Sequence, residues 1–436
     1  MLTSPVFLYP QKRSFALSNL AVHWFFNAFS DIFPDLIVSD SKAGIFNGTK
    51  LTDRPVVFVS LSYAPDMINF AQIMKESGVP LLKRDRDRGL FPIFICGGIA
   101  ATLNPEPLTQ IFDAVFIGEG ECMEEDIRKL LSFNAREELL NYFNVLPYCV
   151  TSQKSGAFPT RTESCEFFVC SNPLLHKMGN DFNNRVIIEL NRGCSLKCKF
   201  CAASYAYKNF RETNCNKVSD FIEKPFVIKD GLALMGTSLA NVSCFDLVLE
   251  KASFYNISLS LSSIRISDIT EKRVEILKKC GVKSVSVAIE SGCYETRKAV
   301  LKSVKDDTIF DALKILRNFG IKTKIYFIAG LPGTDPVEEA EGVATLLRSV
   351  KDKKALGEVS LSVTPFSPKP LTPYARFEMM EKKEYKKYIH TLKKKVAEIS
   401  KGIKIDFFPY KESKLDETFG KAKGEDFIKL IARGSL

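Results

Sequence analysis

Three cysteines stand at a C-x3-C-x2-C spacing in Arg192-Gly193-Cys194-Ser195-Leu196-Lys197-Cys198-Lys199-Phe200-Cys201. Thiolates are soft ligands, and in a chain without signs of secretion such a cluster points to bound metal rather than to disulfides. The number of thiolates separates the options. Four would close a structural zinc or a fully ligated iron–sulfur cluster. Three on a cubane of four irons leave one iron open for a substrate or cofactor. The same residues also read as a zinc loop borrowing a ligand from elsewhere, or as three unrelated core cysteines.

The surrounding elements bear on that choice. Six strand-like runs follow one another: Val186–Leu190, Leu232–Gly236, Ile257–Ser262, Ser284–Ile289, Lys324–Ala329 and Glu358–Val363. Helical patterns fill most of the gaps, as at Ile269–Cys280, Asp307–Asn318 and Val337–Ser349. Successive βα units with right-handed crossovers curl into a parallel barrel or part of one, with the chemistry on loops at the carboxyl ends of the strands. The cysteine loop follows the first of these strands.

With Phe200 just before the last cysteine, Cys194, Cys198 and Cys201 resemble the signature of the radical S-adenosylmethionine (radical SAM) enzymes. The resemblance implies that the three thiolates hold a [4Fe–4S] cluster and that the open iron chelates the amino and carboxylate groups of SAM. One electron, from a flavodoxin- or ferredoxin-type donor, then splits the sulfonium to a 5′-deoxyadenosyl radical. It also implies roles at the other strand ends. Gly236 and Thr237 stand where the family binds the methionine amino group, although Met235-Gly236-Thr237-Ser238 departs from the common Gly-Gly-Glu form. Glu290-Ser291-Gly292 resembles a turn that contacts SAM. Arg297, on the helix after it, is expected to pair with the SAM carboxylate through its fork of donors, and Lys302 to be surface charge. Ile328 and Gly330 belong to a turn that resembles the one meeting adenine. Thr364–Pro373, with four prolines, resembles a stiff segment at the barrel mouth. Arg265 is a further candidate for lining the cavity.

Upstream, apolar runs at Val6–Tyr9, Asp35–Ser39, Pro55–Ser62, Phe91–Cys96 and Ala114–Ile117 alternate with helical patterns, Ser14–Phe29 and Asp66–Ser77 among them. That alternation predicts a parallel sheet covered on both faces. Gly97-Gly98 and Gly118-Glu119-Gly120-Glu121 directly follow strands, where an open α/β sheet carries its ligand. These segments resemble the N-terminal domain of radical SAM proteins of the cobalamin-binding-domain group. The D-x-H-x-x-G motif that supplies a histidine to cobalt in that fold is missing; the three histidines are His23, His176 and His390. Cobalamin bound without a protein histidine, and a domain that has kept the fold but lost the cofactor, both remain open.

The predicted architecture is therefore α/β. A Rossmann-like (flavodoxin-like, cobalamin-binding-type) domain covers residues 1–148 and a linker 149–184. A partial (β/α)6 TIM-type radical SAM barrel covers 185–376, and a small helical C-terminal extension 377–436. In that extension Tyr385, Tyr388, Leu392, Val396 and Ile399 define one apolar helix face. The other cysteines, Cys215, Cys244 and Cys280 among them, read as buried small apolar residues. The alternating charges of Lys83–Arg88 read as a solvated loop.

The function expected is radical SAM chemistry, with cobalamin-dependent methyl transfer if the first domain holds cobalamin. The alternatives are cobalamin-free modification of RNA or protein, and a non-enzymatic zinc-bearing module. No apolar run reaches membrane-spanning length and Met1–Leu20 carries no clean signal-peptide pattern, so a cytoplasmic, reducing setting without membrane is expected. The net charge of +10 would attract RNA or acidic substrates, but it is spread over 436 residues.

Overall fold

The computed structural model of the chain describes residues 5–434 apart from 33, 42, 87–90, 154–161 and 165–166. The chain divides into two compact units, residues 1–187 with 418–436, and residues 188–417.

In the first unit the short apolar runs become strands: β1 (Val6–Tyr9), β2 (Asp35–Val38), β3 (Val56–Ser60), β4 (Ile93–Gly97) and β5 (Ala114–Phe116). A two-residue strand, β6 (Cys149–Val150), lies where the sequence suggested a linker. The order is β2-β1-β3-β4-β5-β6, all parallel except β6. This is a doubly wound sheet whose switch point falls between β1 and β3. The expected helix from Ser14 to Phe29 breaks at Asn19, whose side chain accepts the Ala21 N–H and caps the helix Leu20–Ala28. That helix packs Phe25 against Phe7 and Phe58, with ring centroids 4.5 and 5.3 Å apart.

Three expectations for this unit need correction. The glycines after β4 and β5 let the chain approach itself. A Cβ on Gly98 would lie 2.5 Å from the Leu61 carbonyl oxygen, one on Gly118 2.3 Å from Thr162 Oγ1, and one on Gly120 2.5 Å from the Trp24 ring. Glu119 accepts the Ser164 N–H at 3.0 Å and so holds the connector over the end of β5. The charged run is not simply a solvated loop: Lys83–Arg86 is helical, and Arg86 is fully buried, 3.5 Å from Asp113 and over the Phe94 ring. Asp87, Arg88 and Cys165 lie outside the described residues. The C-terminal segment also divides. The helix Gly424–Gly434 belongs to the first unit, where Asn104 donates to the Phe419 and Ala422 carbonyls.

The second unit contains β7 (Val186–Arg192), β8 (Arg211–Glu212), β9 (Leu232–Gly236), β10 (Leu259–Leu261), β11 (Ser284–Glu290), β12 (Lys322–Ala329), β13 (Val359–Pro365) and β14 (Lys404–Phe407). Two sheets form, β10-β9-β7-β8 and β11-β12-β13-β14. A parallel bridge between Ile264, just past β10, and Val287 of β11 joins them. The six long strands therefore run in barrel order as parallel neighbours, each anticipated in the sequence. In β12 and β13 buried and half-buried residues alternate, the period of a strand with one face under helices and one toward the barrel interior. Helix starts are locally encoded. Thr270 caps Glu271–Lys279, and Asp335 with Pro336 opens Pro336–Asp352.

The apolar face of Lys382–Ile399 packs on Pro336–Asp352 behind a capping box of Glu381 and Glu384. Cys215 and Cys244, expected to be ordinary buried cysteines, are joined in a disulfide. Among the described residues no helix is long and apolar enough to cross a membrane.

Candidate active site

The cysteine loop leaves the carboxyl end of β7 through Gly193, at φ +71°. A side chain there would strike the Asn209 carbonyl at 2.1 Å, so the position needs glycine. Cys198 is buried, and Cys194 and Cys201 are half-buried. The loop is held from three other strand ends. Behind β9, Thr237 Oγ1 donates to the Gly193 carbonyl, and Asn241 Nδ2 reaches Ser195 Oγ at 3.4 Å. After β11, the Lys199 N–H donates to the Val300 carbonyl at 3.1 Å, and Cys198 Sγ lies 3.8 Å from that of Leu301. After β13, the Tyr374 N–H donates to the Lys199 carbonyl at 3.2 Å.

Asn191, buried in β7 and not singled out by the sequence, ties two of these parts together. Its Nδ2 donates to the Gly193 carbonyl at 3.0 Å and to Thr237 Oγ1 at 2.8 Å, while its Oδ1 accepts the Ser238 N–H at 3.1 Å. One side chain thus joins the start of the cysteine loop to the end of β9. Asn191→Ala removes three bonds from a buried site. It is expected to cost about 2–3 kcal/mol, read as a lower unfolding midpoint, and to speed release of reconstituted iron to a chelator.

Gly236 lies against this amide, where a Cβ would come within 2.3 Å of Asn191 Oδ1. Its carbonyl accepts the Ser262 hydroxyl at 3.0 Å, and a carbonyl's second lone pair still leaves capacity for an ammonium group. The Thr237 hydroxyl, by contrast, is occupied within the protein.

Glu290 ends β11 at a bulge, with φ +70°, a conformation that costs a non-glycine residue on the order of 1–3 kcal/mol. Its buried carboxylate accepts from Lys302 Nζ at 2.7 Å. Lys302 is therefore not surface charge. It is 9% exposed and close enough to Cys198 to act on its titration. Arg297 is also fully buried, and its three nitrogens are engaged within the fold: Nε with the Val304 carbonyl at 2.9 Å, Nη1 with that of Ser291 at 2.9 Å, and Nη2 with Asp306. This corrects its expected role. A guanidinium locked between β11 and the following turn does not reach out to a ligand carboxylate, and Lys302 is the cation beside the thiols. Arg265 likewise works inside the fold, holding Asp268 at 2.8 Å and Asn241.

Phe200 and Ile328 come together, as expected of residues on one ligand wall. Both pack on a buried cluster of Val300, Leu331, Phe366 and Tyr374, where the Phe366 and Tyr374 rings meet edge to face. Gly330, at φ +78°, donates its N–H to Glu339 at 2.7 Å, and Met380 fills the space a side chain would need. Glu339 was not anticipated. Its acidic position in the first turn of a helix, nine residues past Gly330, reads as a dipole effect until the fold brings the two together.

The donor set was tested for its fit to a cluster. Burial pushes the Cys198 thiol up to about 12; Cys201, Glu290 and Cys194 push it the same way, and Lys302 pulls it down. Three thiols thus share one electrostatic neighbourhood in which a buried thiolate is disfavoured without added positive charge, which iron would supply. Among the described residues no three His, Cys, Asp or Glu side chains converge on a single-ion position. Thiolates on separate irons of a cubane do not need to converge. The residues fit.

In the first unit, Asn19 Nδ2 reaches Tyr9 Oη at 3.2 Å and Ser62 Oγ at 3.1 Å, while Gln11 donates to Asp66 at 2.6 Å. These groups lie at the β1/β3 switch point. Burial pushes the Asp66 carboxyl up to about 6. His23 is buried with both ring nitrogens used, Nε2 against the Leu17 carbonyl at 2.9 Å and Nδ1 accepting the Asn172 N–H at 3.1 Å. It is not open to a metal.

Residues 188–347 match the radical SAM superfamily, and residues 42–149 match the N-terminal region of radical SAM proteins. An uncharacterized protein of Methanocaldococcus jannaschii, MJ0966, is 24% identical over 420 residues, covering 93% of this chain and 86% of that one. Among solved structures, the chain resembles the radical SAM methyltransferase TsrM from Kitasatospora setae, with cobalamin and a [4Fe–4S] cluster bound. The TM-score is 0.62 at 14% identity, covering 86% of this chain and 77% of the other. It also resembles the cobalamin-dependent radical SAM enzyme OxsB, with a TM-score of 0.56 at 14% identity, over 79% of this chain and 52% of that one.

Proposed function

The chain belongs to the radical SAM superfamily and is an enzyme, and on that footing we propose that it binds a [4Fe–4S] cluster, SAM and cobalamin and transfers a methyl group. The observation that carries the proposal is the cysteine loop, clamped from the ends of β9, β11 and β13 with the Lys302–Glu290 pair beside Cys198. When bound, the cluster supplies the electron that cleaves SAM, from a flavodoxin- or ferredoxin-type donor, and cobalamin supplies a methyl carrier.

The chain's own residues do the rest. Cys194, Cys198 and Cys201 hold iron. Lys302 offers a buried cation to the SAM carboxylate, with Glu290 balancing its charge. The Gly236 carbonyl accepts from the SAM ammonium. Phe200 and Ile328 give an apolar wall that keeps water from the adenosyl group. At the first unit's switch point, Tyr9, Asn19, Ser62 and Asp66 fit a ligand bearing many amides, held without a protein histidine on its metal.

A second reading is cobalamin-free modification of RNA or protein. It is favoured by the filling of the β4 and β5 edges with the chain's own Leu61, Thr162 and Trp24. Metal analysis after anaerobic reconstitution decides between the two. About four irons with cobalt per chain supports methyl transfer, and iron without cobalt supports the second reading. Zinc in place of iron overturns both.

A further inference from the structure

Between the helices Pro336–Asp352 and Lys382–Ile399 lie two buried polar atoms without a hydrogen-bond partner, Glu339 Oε1 and the Tyr388 hydroxyl. Glu339 is 4% exposed and Tyr388 is wholly buried, and each group acts on a region that water does not screen. Such atoms are costly, and a pair of them facing one helix–helix seam calls for a reason. The other carboxylate oxygen accepts the Gly330 N–H at 2.7 Å. Gly330 stands at the end of β12 in the left-handed region, next to Ile328 and Leu331 of the apolar wall.

We propose that Glu339 positions the Gly330–Leu331 turn for the adenosyl group, and that its second oxygen forms with the Tyr388 hydroxyl a latch on that turn worked by one proton. The proposal rests on the SAM reading of the turn. With Glu339 ionised, both oxygens accept, one from Gly330 N–H and one from Tyr388 O–H, as charge-assisted bonds. With Glu339 protonated, Oε1 donates to Tyr388 and Oε2 keeps only a neutral bond to Gly330, so the turn is held less firmly. Burial pushes the Glu339 carboxyl up to about 7, opposed by the Gly330 and Leu331 N–H groups and the Thr334 hydroxyl. The proton is therefore exchanged near neutral pH. From the facing helix the nearby titratable groups are Tyr388 and, behind it, Tyr385, whose hydroxyl is taken by the Phe408 carbonyl at 3.1 Å. Lys395 on that helix pairs with Glu341 on the outer side.

The test measures binding of 5′-methylthioadenosine, an adenosyl probe without the amino acid, to the full chain by calorimetry from about pH 5.5 to about pH 8.5, either side of neutrality. Wild-type affinity is expected to rise about tenfold with pH. Glu339→Gln should hold the low-pH affinity throughout, and Tyr388→Phe should move the midpoint to higher pH by removing a donor to the carboxylate. Thermal melts at each pH check that the variants are folded, and Tyr388→Phe carries the test if Glu339→Gln is not. Binding that is present but independent of pH in the wild type, or a pH dependence that survives in Glu339→Gln, overturns the latch. Absence of probe binding by the wild type at every pH overturns the adenosyl reading of the turn, and the latch with it.

Discussion

Cys198→Ala is expected to empty the site. Iron after reconstitution should fall from about four per chain to background, and 5′-deoxyadenosine formation from SAM should drop below detection. Cys198 is the buried member of the three, clamped through Lys199 to both the Val300 and the Tyr374 segments, so no neighbouring thiol can move into its place. Cys280→Ala is the control. That cysteine is also buried, yet it ends the helix Glu271–Lys279 away from the loop, and its loss should leave iron unchanged. Retained SAM cleavage in Cys198→Ala would sink the assignment of the loop.

Lys302→Met should weaken SAM binding by at least about tenfold, roughly 1.4 kcal/mol, and destabilise the fold as well. The two effects separate by design. Removing the ammonium leaves Glu290 buried without its partner, a situation that costs on the order of 3–5 kcal/mol. The double variant Lys302→Met/Glu290→Gln relieves that cost, so its melting midpoint should recover while its SAM affinity does not. Arg297→Met should behave in the opposite way, with a lower midpoint and unchanged SAM affinity, because its guanidinium serves Ser291, Val304 and Asp306. Equilibrium dialysis with labelled SAM and a thermal melt on each variant give both readouts. If the double variant binds SAM as well as the wild type, Lys302 has no part in recognising the carboxylate.

The six barrel strands and the helices between them were legible because each is a local signal, an apolar run or a 3.6-residue period. The cysteine loop was legible for the same reason, since its ligands fall within eight residues. What escaped the sequence depends on direction. Arg297 and Lys302 are five apart, and nothing local says which one faces the thiols. The helix Tyr294–Ala299 stops, Leu301 turns at φ +62°, and that reversal carries Lys302 back to Glu290 while Arg297 stays under the helix. Asn191 was hidden as one polar residue in a strand, and Glu339 as one acid in a helix that opens on several. The glycines after β4 and β5 suggested a ligand because close approach can be read from glycine but its partner cannot. The partners, Leu61, Thr162 and Trp24, come from distant segments.

The single amide of Asn191 has one more consequence. It is bonded at once to the segment that begins the iron-holding loop and to the segment expected to receive the methionine end of SAM. Whatever ordering one occupant imposes is thereby prepared for the other, and such coupling is reciprocal. If a loaded cluster tightens SAM binding by some factor, SAM must strengthen retention of the cluster by that same factor. In a cell short of SAM, the enzyme would then lose more than its co-substrate: its iron would become easier to strip, and the pool of competent enzyme would track the supply of methyl donor.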